Sequence, residues 1–331
     1  MSNYSKSDIN FILYNNRSIN GTVKNFLNEF NFNGLYITAL DDMLSKYKKK
    51  WKKWKTTIIE TTNLNLKSND IIVTPNDIKK LTPNILKSNT ELLNNLKYNF
   101  ELNWILNRGF TIDIIKKWQL GSLQYLLGTC SKRELEILGI TTHPLLTNLL
   151  NTDISGGGIV IPYFKNNKLL NCTVRRISDT GKLKYTQAIP DISIYGLCKC
   201  KNYNTIYITE GIFDAIALHK QGKCAVSVSS AVWSSLELYQ LLETDVKNII
   251  IFSDNDKVGL SSAAILYDLL SFFDINISVI TSNKCKDACD HFLTNNYTFN
   301  DISEIKITDN LINSKEEVKF DLVEYLQNRQ F

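Results

Sequence analysis

The centre of this chain reads Ile206-Tyr207-Ile208-Thr209-Glu210-Gly211 and, further on, Ile249-Ile250-Ile251-Phe252-Ser253-Asp254-Asn255-Asp256-Lys257-Val258-Gly259. Each segment is an apolar run rich in β-branched residues that ends in acidic residues and glycine, which predicts a buried strand followed by a turn. Helical patterns over 213–221 and 234–242 flank a third apolar run over 224–228. Strands that alternate with helices predict a parallel, doubly wound α/β sheet.

Three carboxylates, those of Glu210, Asp254 and Asp256, follow the ends of the two outer strands of this pattern. Ligands of parallel sheets bind at the carboxyl ends of the strands. Carboxylates that converge there repel one another unless a cation neutralises them, and Mg²⁺ prefers hard oxygen ligands. The sequence therefore predicts a Mg²⁺ or Mn²⁺ site at this edge of the sheet.

The order of these motifs resembles the Toprim domain. The resemblance rests on a strand ending in Glu-Gly, on Asp214-Ala215 in the following helix, and on a strand ending in Asp-x-Asp with Gly259 shortly after it. DnaG-type primases, type IA and type II topoisomerases and some nucleases share this domain, which has a Rossmann-like parallel sheet. The alternative is an ordinary doubly wound domain whose acids are simply solvated.

Upstream elements resemble those of DnaG-type primases in particular, and several end in basic residues. In chain order they are a helix over 91–106, an Arg-Gly turn at Arg108, a hairpin with strands near 159–164 and 169–177 that ends in Arg175-Arg176, and Lys184 before Tyr185. The resemblance implies that Arg108, Arg175, Arg176 and Lys184 bind nucleotide and template. The alternative is that these are surface residues paired weakly with nearby acids.

The resemblance also implies a further metal-facing acid, Asp287, with Asp290 as a second candidate. Both follow a predicted helix over 260–273 and a predicted strand over 275–280. Cys285, Cys289 and His291 lie nearby, but no fourth ligand stands at the spacing of a zinc finger, so no zinc is expected. Seven cysteines scattered without a framework predict reduced thiols.

Basic charge is concentrated at the N-terminal end, where residues 1–100 hold 15 Lys and Arg against 8 Asp and Glu. Seven of these lysines lie in Lys46–Lys55, interleaved with Tyr and Trp. Such a segment suits single-stranded DNA, through phosphate contacts and base stacking. The residues assigned to DNA binding are Lys48, Lys49, Lys50, Trp51, Lys52, Lys53 and Trp54. The alternative is an amphipathic helix whose tryptophans point into the core.

We expect four regions. They are a mostly helical, basic N-terminal region over 1–90 with a possible linker at 62–90, a mixed α/β primase subdomain over 91–203, the Toprim domain over 204–299, and a tail over 300–331. No apolar run approaches the ~20 residues of a membrane span, and no signal-peptide core is present. We therefore expect a cytoplasmic protein of a bacterial or infected host cell.

The resemblance as a whole implies a phage- or plasmid-like DNA primase. Such an enzyme makes short RNA primers from ribonucleoside triphosphates on a single-stranded DNA template, beside a separate helicase, since no Walker A motif is present. Asp254, Asp256 and Asp287 would hold metal, and Glu210 would be a further metal ligand or the general base. A Toprim-type nuclease and a non-catalytic DNA-binding replication factor are the alternatives.

Overall fold

The structure is a computed structural model that describes most of the chain between residues 75 and 306. The described ranges are 75–138, 156–165, 168–177, 185–187, 194–200, 203–227, 235–242, 244, 246–271 and 273–306. The predicted DNA-binding segment Lys46–Lys55, Lys184, and the tail from residue 307 onward lie outside the described residues.

The first described element is helix α1, Pro75–Asn94, which contains Pro83. Residues 75–90 are therefore helical, whereas the sequence favours a linker there. Four apolar side chains at helical spacing, Ile78, Leu81, Ile85 and Leu92, are at most 1 % exposed. Burying each contributes about 2 kcal/mol, which offsets the ~3 kcal/mol cost of a proline inside a helix. The sequence did not predict this buried face of α1 because polar Asn, Lys and Thr residues separate the four apolar side chains.

Short helices continue the first half of the molecule. They are α2 (Asn99–Asn107), α3 (Ile112–Trp118), α4 (Leu123–Thr129) and α5 (Lys132–Ile137). Ser and Thr residues start three of them, because their side-chain oxygens accept the free N–H groups of a first turn. The caps are Thr111 for α3, Ser122 for α4 and Ser131 for α5. The helix predicted over 91–106 is thus the end of α1 followed by α2.

An antiparallel sheet accompanies these helices. It runs in the order β1 (Gly121–Ser122), β2 (Gly158–Lys165), β3 (Lys168–Arg176) and β4 (Tyr185–Gln187). The buried Glu101 carboxylate fastens the sheet to α2, because it accepts hydrogen bonds from the Ser122 hydroxyl and from the Gly158 N–H group at 2.8 Å. The hairpin predicted over 159–177 is confirmed.

The second sheet contains the acidic motifs. Its strands are β5 (Thr205–Thr209), β6 (Ala225–Ser227), β7 (Asn248–Ser253), β8 (Asn276–Ser282) and β9 (Ile302–Ile305), and their order is β6-β5-β7-β8-β9. The helices between them are α6 (Ile212–Lys220), α7 (Ser235–Leu242) and α8 (Lys257–Leu270).

The first four strands of this second sheet are parallel, which confirms the predicted α/β fold class. Strand β9 is antiparallel to β8. The sequence favours residues 302–305 as the start of a tail, since four residues reading Ile-Ser-Glu-Ile give little strand signal. Among the described helices, none has both the length and the apolar character that crossing a membrane requires.

The two halves meet in a shared core. Gly109 adopts a positive φ of 79°, and a side chain there would collide with the backbone carbonyl of Leu293. The Phe110 and Phe213 rings lie 4.9 Å apart, and those of Trp118 and Tyr195 are stacked at 5.2 Å. The turn after α2 therefore packs directly on the part of the molecule that carries the acids.

Two cysteines are joined, which corrects the prediction of reduced thiols throughout the chain. Cys200 and Cys224 form a disulfide with their Cα atoms 5.3 Å apart. An antiparallel bridge between Tyr195 and Ser227 places Cys200 beside the start of β6. Sequence spacing alone does not reveal this contact. The free cysteines in the described part of the chain are Cys130, Cys172, Cys198, Cys285 and Cys289.

Candidate active site

The strands that precede the predicted acids are neighbours in the sheet. Thr209 of β5 is the parallel partner of Phe252 of β7, so Glu210 and the turn after β7 leave the sheet side by side. Strand β6 flanks β5 on one side and β8 flanks β7 on the other. Doubly wound sheets bind ligands where the strand order diverges in this way. A small crevice at this point is lined by apolar side chains and by Thr209, Glu210, Ser253 and Ser262.

Asp254 is the most enclosed acid of the Asp-x-Asp motif, with a side chain 17 % exposed. Burial raises its pKa to about 7, and the charges of Glu210 and Asp287 act in the same direction. A Cβ atom on Gly259 would lie 2.6 Å from the Asp254 carbonyl oxygen, so only glycine fits there. The motif therefore requires glycine at this position because the turn around Asp254 is too tight for a side chain.

Asp256, unlike Asp254, lies in an environment that favours its ionised form. It caps α8, and its Oδ1 accepts a hydrogen bond from the Gly259 N–H group at 2.8 Å. Its Oδ2 lies 3.1 Å from the Lys286 Nζ atom. Partial burial favours a higher pKa, but the Gly259 N–H group and the Lys286 ammonium outweigh it and lower the pKa of Asp256. The motif thus pairs an acid that titrates near neutral pH with one that is held ionised.

Asp287, the fourth predicted acid, lies in the loop after β8. Its Oδ1 accepts a hydrogen bond from the Asp290 N–H group at 2.8 Å. The preceding carbonyl, that of Lys286, accepts the Asn255 N–H group at 2.6 Å. This backbone contact holds the loop that carries Asp287 against the turn that carries Asp254.

A buried histidine supports the same loop from behind. The Nε2 atom of His291 lies 2.8 Å from the Thr298 carbonyl oxygen and its Nδ1 lies 2.8 Å from the Ser282 hydroxyl. A carbonyl only accepts, so Nε2 carries a hydrogen and donates it to Thr298. The Ser282 oxygen in turn accepts the N–H groups of Lys284 and Cys285. Both ring nitrogens of His291 are therefore used within the fold.

Asp214 is a component of the site that the sequence analysis left unassigned. It lies in the first turn of α6, is 8 % exposed, and accepts the Cys289 N–H group at 2.8 Å. Burial, then the charges of Asp287 and Asp254, raise its pKa well above the usual range. Hydrogen bonding to the Asp287 side chain acts in the same direction, so the form of Asp214 that is favoured is the protonated one, which can donate to Asp287. The signal in the sequence is the Glu-Gly-x-x-Asp spacing, which puts Asp214 on the helix that begins at the sheet edge.

Two of the predicted basic residues meet at one tryptophan. The guanidinium carbon of Arg108 lies 5.2 Å from the Trp104 ring centre, and that of Arg175 lies 5.6 Å from it. Arg108 also lies 5.9 Å from the Phe213 ring on α6, and its charge favours a lower pKa for Asp290, although burial and Asp287 raise that pKa overall. This tryptophan–arginine cluster therefore borders the acidic loop.

Arg176 is placed differently from its neighbour. Successive residues of a strand point to opposite faces, and Arg176 of β3 is 3 % exposed. We therefore place Arg175, and not Arg176, on the side of the sheet that faces the tryptophan.

The donor set suits a hard divalent cation in its chemistry. Glu210, Asp254, Asp256 and Asp287 offer only carboxylate oxygens. Burial, and then the charges of Glu210 and Asp287, raise the pKa of Asp254. Across the described ranges, no three His, Cys, Asp or Glu side chains are close enough together to hold a metal ion. The Lys286 ammonium instead lies within 4.0 Å of both Asp254 and Asp256.

Comparison with known families defines the class of this domain. Residues 207–292 match the family of Toprim-like domains, and this part of the chain is a Toprim-like domain. A comparison with curated protein sequences finds no match.

Solved structures extend the likeness beyond the Toprim-like domain. A DNA primase domain from Pseudomonas aeruginosa has a TM-score of 0.52 at 18 % identity, over 65 % of this chain and 74 % of that one. The DnaG catalytic core has a TM-score of 0.52 at 15 % identity, over 65 % and 75 %. The DnaG primase catalytic domain bound to single-stranded DNA has a TM-score of 0.51 at 15 % identity, over 66 % and 76 %. The chain thus has the fold of a DnaG primase catalytic core, which confirms the resemblance predicted from its motifs.

Proposed function

We propose that this chain is a DNA primase, a nucleotidyltransferase that makes short RNA primers on single-stranded DNA. The observation that carries the proposal is that Glu210, Asp254 and Asp256 follow neighbouring strands at the divergence point of the Toprim-like sheet, with Asp287 in the adjoining loop and the tryptophan–arginine cluster beside it. A triphosphate needs both kinds of group, because its oxygens bind guanidinium ions directly and bind carboxylates only through a shared cation.

Each acid has a distinct role in this proposal. Asp254, Asp256 and Asp287 hold Mg²⁺ or Mn²⁺, which would supply positive charge to the triphosphate and to the leaving pyrophosphate. Glu210 either joins these ligands or accepts the proton of the attacking 3′-hydroxyl. Asp214 orients the Asp287 carboxylate by donating a hydrogen bond to it.

The basic residues have positioning roles. Arg108 and Arg175, spaced by Trp104, orient the triphosphate by charge-assisted hydrogen bonds. Lys184 and the segment Lys46–Lys55 remain proposed contacts to the template. Phosphate contacts and stacking hold a strand firmly but read its sequence poorly. Recognition of start sites would therefore be loose or would depend on a partner, with a separate replicative helicase as the candidate.

One incubation separates this function from the alternatives. The full chain is mixed with single-stranded DNA, labelled ribonucleoside triphosphates and Mg²⁺ or Mn²⁺. Primase activity yields short labelled oligomers, and a Toprim-type nuclease shortens the DNA. A non-catalytic DNA-binding factor yields no labelled oligomers and leaves the DNA at its original length. Asp256→Ala and Glu210→Gln should each abolish the labelled product, and full synthesis by Asp256→Ala would refute the assignment of the acids.

A further inference from the structure

The acidic site contains a cation that belongs to the chain itself. The Nζ atom of Lys286 lies 3.1 Å from Asp256 Oδ2 and 4.0 Å from Asp254 Oδ2. Two carboxylates that the proposed function assigns to metal are therefore paired with the same ammonium.

Lys286 contacts an oxygen that a metal ion could use without disturbing the start of α8. Asp256 Oδ1 accepts the Gly259 N–H group there, so a metal ion bound through Oδ2 leaves that cap intact. A Mg²⁺ ion binds carboxylate oxygens at about 2.0–2.1 Å. An ammonium at 3.1 Å from the same oxygen would be in steric and electrostatic conflict with such an ion. The two cations therefore exclude each other at Asp256.

The backbone of Lys286 is fixed while its side chain is free to move. The carbonyl oxygen of Lys286 accepts the Asn255 N–H group at 2.6 Å, which ties the residue to the turn after β7. The side chain is 57 % exposed, so the ammonium can rotate into solvent without breaking that contact. Displacing it costs little, because ion pairs at this exposure contribute roughly 0–1 kcal/mol.

From these contacts we propose that Lys286 is the resident counter-ion of the metal-free site, and that a divalent metal binds by displacing its ammonium from Asp256. Lys286 then lowers the metal affinity of the site by a small factor. The proposal rests on the metal assignment made under the proposed function and adds to it a competing cation supplied by the protein.

The test is a titration of the full chain with Mn²⁺, without DNA or nucleotide, in which free Mn²⁺ is measured by electron paramagnetic resonance. Lys286→Met keeps the length of the side chain and removes its charge. It should bind Mn²⁺ about two- to fivefold more tightly, the range expected for losing a half-exposed ion pair. Lys286→Gln should shift the affinity in the same direction, and Lys286→Arg should stay close to the unaltered chain.

Lys284 provides a matched control in the same loop. It is 48 % exposed and pairs with Asp301 at 2.7 Å. Lys284→Met removes the same charge and should leave the Mn²⁺ affinity unchanged.

The outcomes separate this proposal from the proposed function. Unchanged or weaker Mn²⁺ binding by Lys286→Met, with binding lost in Asp256→Ala, would overturn the displacement and leave the metal site standing. An equal gain in Lys284→Met would overturn it too, since the effect would then be one of net charge. Undiminished Mn²⁺ binding by Asp256→Ala would remove the metal assignment and this proposal together.

Discussion

At the scale of single residues, Asp254 and Asp256 show how one short motif produces two different acids. Asp254 is enclosed next to other carboxylates, so the protonated form is favoured. Asp256 receives a helix N–H group and a lysine, so the ionised form is favoured. In the proposed function, metal binding would remove a proton from Asp254 and, by the proposed displacement, the Lys286 ammonium from Asp256.

The first prediction concerns the stability of the metal-free chain. The pKa of Asp254 is about 7 in the folded state, so the folded chain keeps a proton that the unfolded chain loses above about pH 4. Stability should fall as pH rises from about 4 to about 7, and Asp214 acts in the same direction. Asp254→Asn should be more stable than the unaltered chain at about pH 8, by up to about 4 kcal/mol. Urea unfolding without divalent metal measures this.

The control for that experiment is Asp256→Ala. It removes the cap of α8 and should cost roughly 1 kcal/mol, the opposite sign from Asp254→Asn. An Asp254→Asn variant that is less stable than the unaltered chain at about pH 8 would contradict the assigned environment.

A second prediction tests the protonation of Asp214. Asparagine can accept the Cys289 N–H group and donate to Asp287, as a protonated aspartate does, so Asp214→Asn should keep primer synthesis within a few-fold. Asp214→Ala should lose most synthesis and roughly 1–3 kcal/mol of stability, because the buried Cys289 N–H group loses its partner. Primer yield and urea unfolding are the measurements. Equal damage in the two variants would argue against a protonated Asp214.

Sequence motifs identified the acids that follow strands, because a strand end fixes where the next residue lies. Glu210, Asp254 and Asp256 were found in this way. Asp214 and Lys286 were not assigned, since their importance arises from a hydrogen bond to Asp287 and an ion pair to Asp256 across the fold. The Glu-Gly-x-x-Asp spacing places Asp214 at the sheet edge, but no spacing in a single sequence reveals its contact with Asp287 or the contact of Lys286 with Asp256.

At the scale of elements, the loop between β8 and the turn at Asp290 depends on the buried His291. Loss of its ring should free the Ser282 hydroxyl and loosen the N–H groups of Lys284 and Cys285. We predict that His291→Ala speeds hydrogen exchange at those two amides, as measured by nuclear magnetic resonance.

His219 supplies the comparison for that measurement. Its Nε2 atom also lies within hydrogen-bond distance of a carbonyl oxygen, that of Ala225 at 2.8 Å. His219, however, is in the last turn of α6 and not in this loop. His219→Ala should leave exchange at the two loop amides unchanged. Similar acceleration in both variants would mean general destabilisation and not loss of a local support.

Helix α1 gives a prediction at the same scale. Pro83 is exposed within the helix, so Pro83→Ala should restore a backbone hydrogen bond and raise stability by roughly 1–3 kcal/mol. Leu81→Ala, two residues earlier on the buried face, should lower it by roughly 2–5 kcal/mol. Thermal and urea unfolding measure both, and a destabilising Pro83→Ala would contradict a continuous helix over Pro75–Asn94.

At the scale of the whole molecule, a helical and antiparallel half packs on a parallel Toprim-like half, and the candidate site lies beside their junction. The alternation of strands and helices was enough to predict the fold of the Toprim-like half, because apolar runs and turn residues depend on local structure. The linker suggested before residue 90 proved to be helical from Pro75. The disulfide between Cys200 and Cys224 was also not foreseen, because it is a tertiary contact. The proposed domain boundaries and the DNA-binding role of Lys46–Lys55 stay predictions.

Incorporation on homopolymer templates shows whether the acidic site transfers ribonucleotides under the direction of a template. The full chain is given one labelled ribonucleoside triphosphate at a time, with Mn²⁺, on single-stranded homopolymers of thymidine or cytidine. We expect labelled oligomers only where the nucleotide complements the template, and none with Asp256→Ala. Label incorporated regardless of template, or in equal amount by Asp256→Ala, would contradict it.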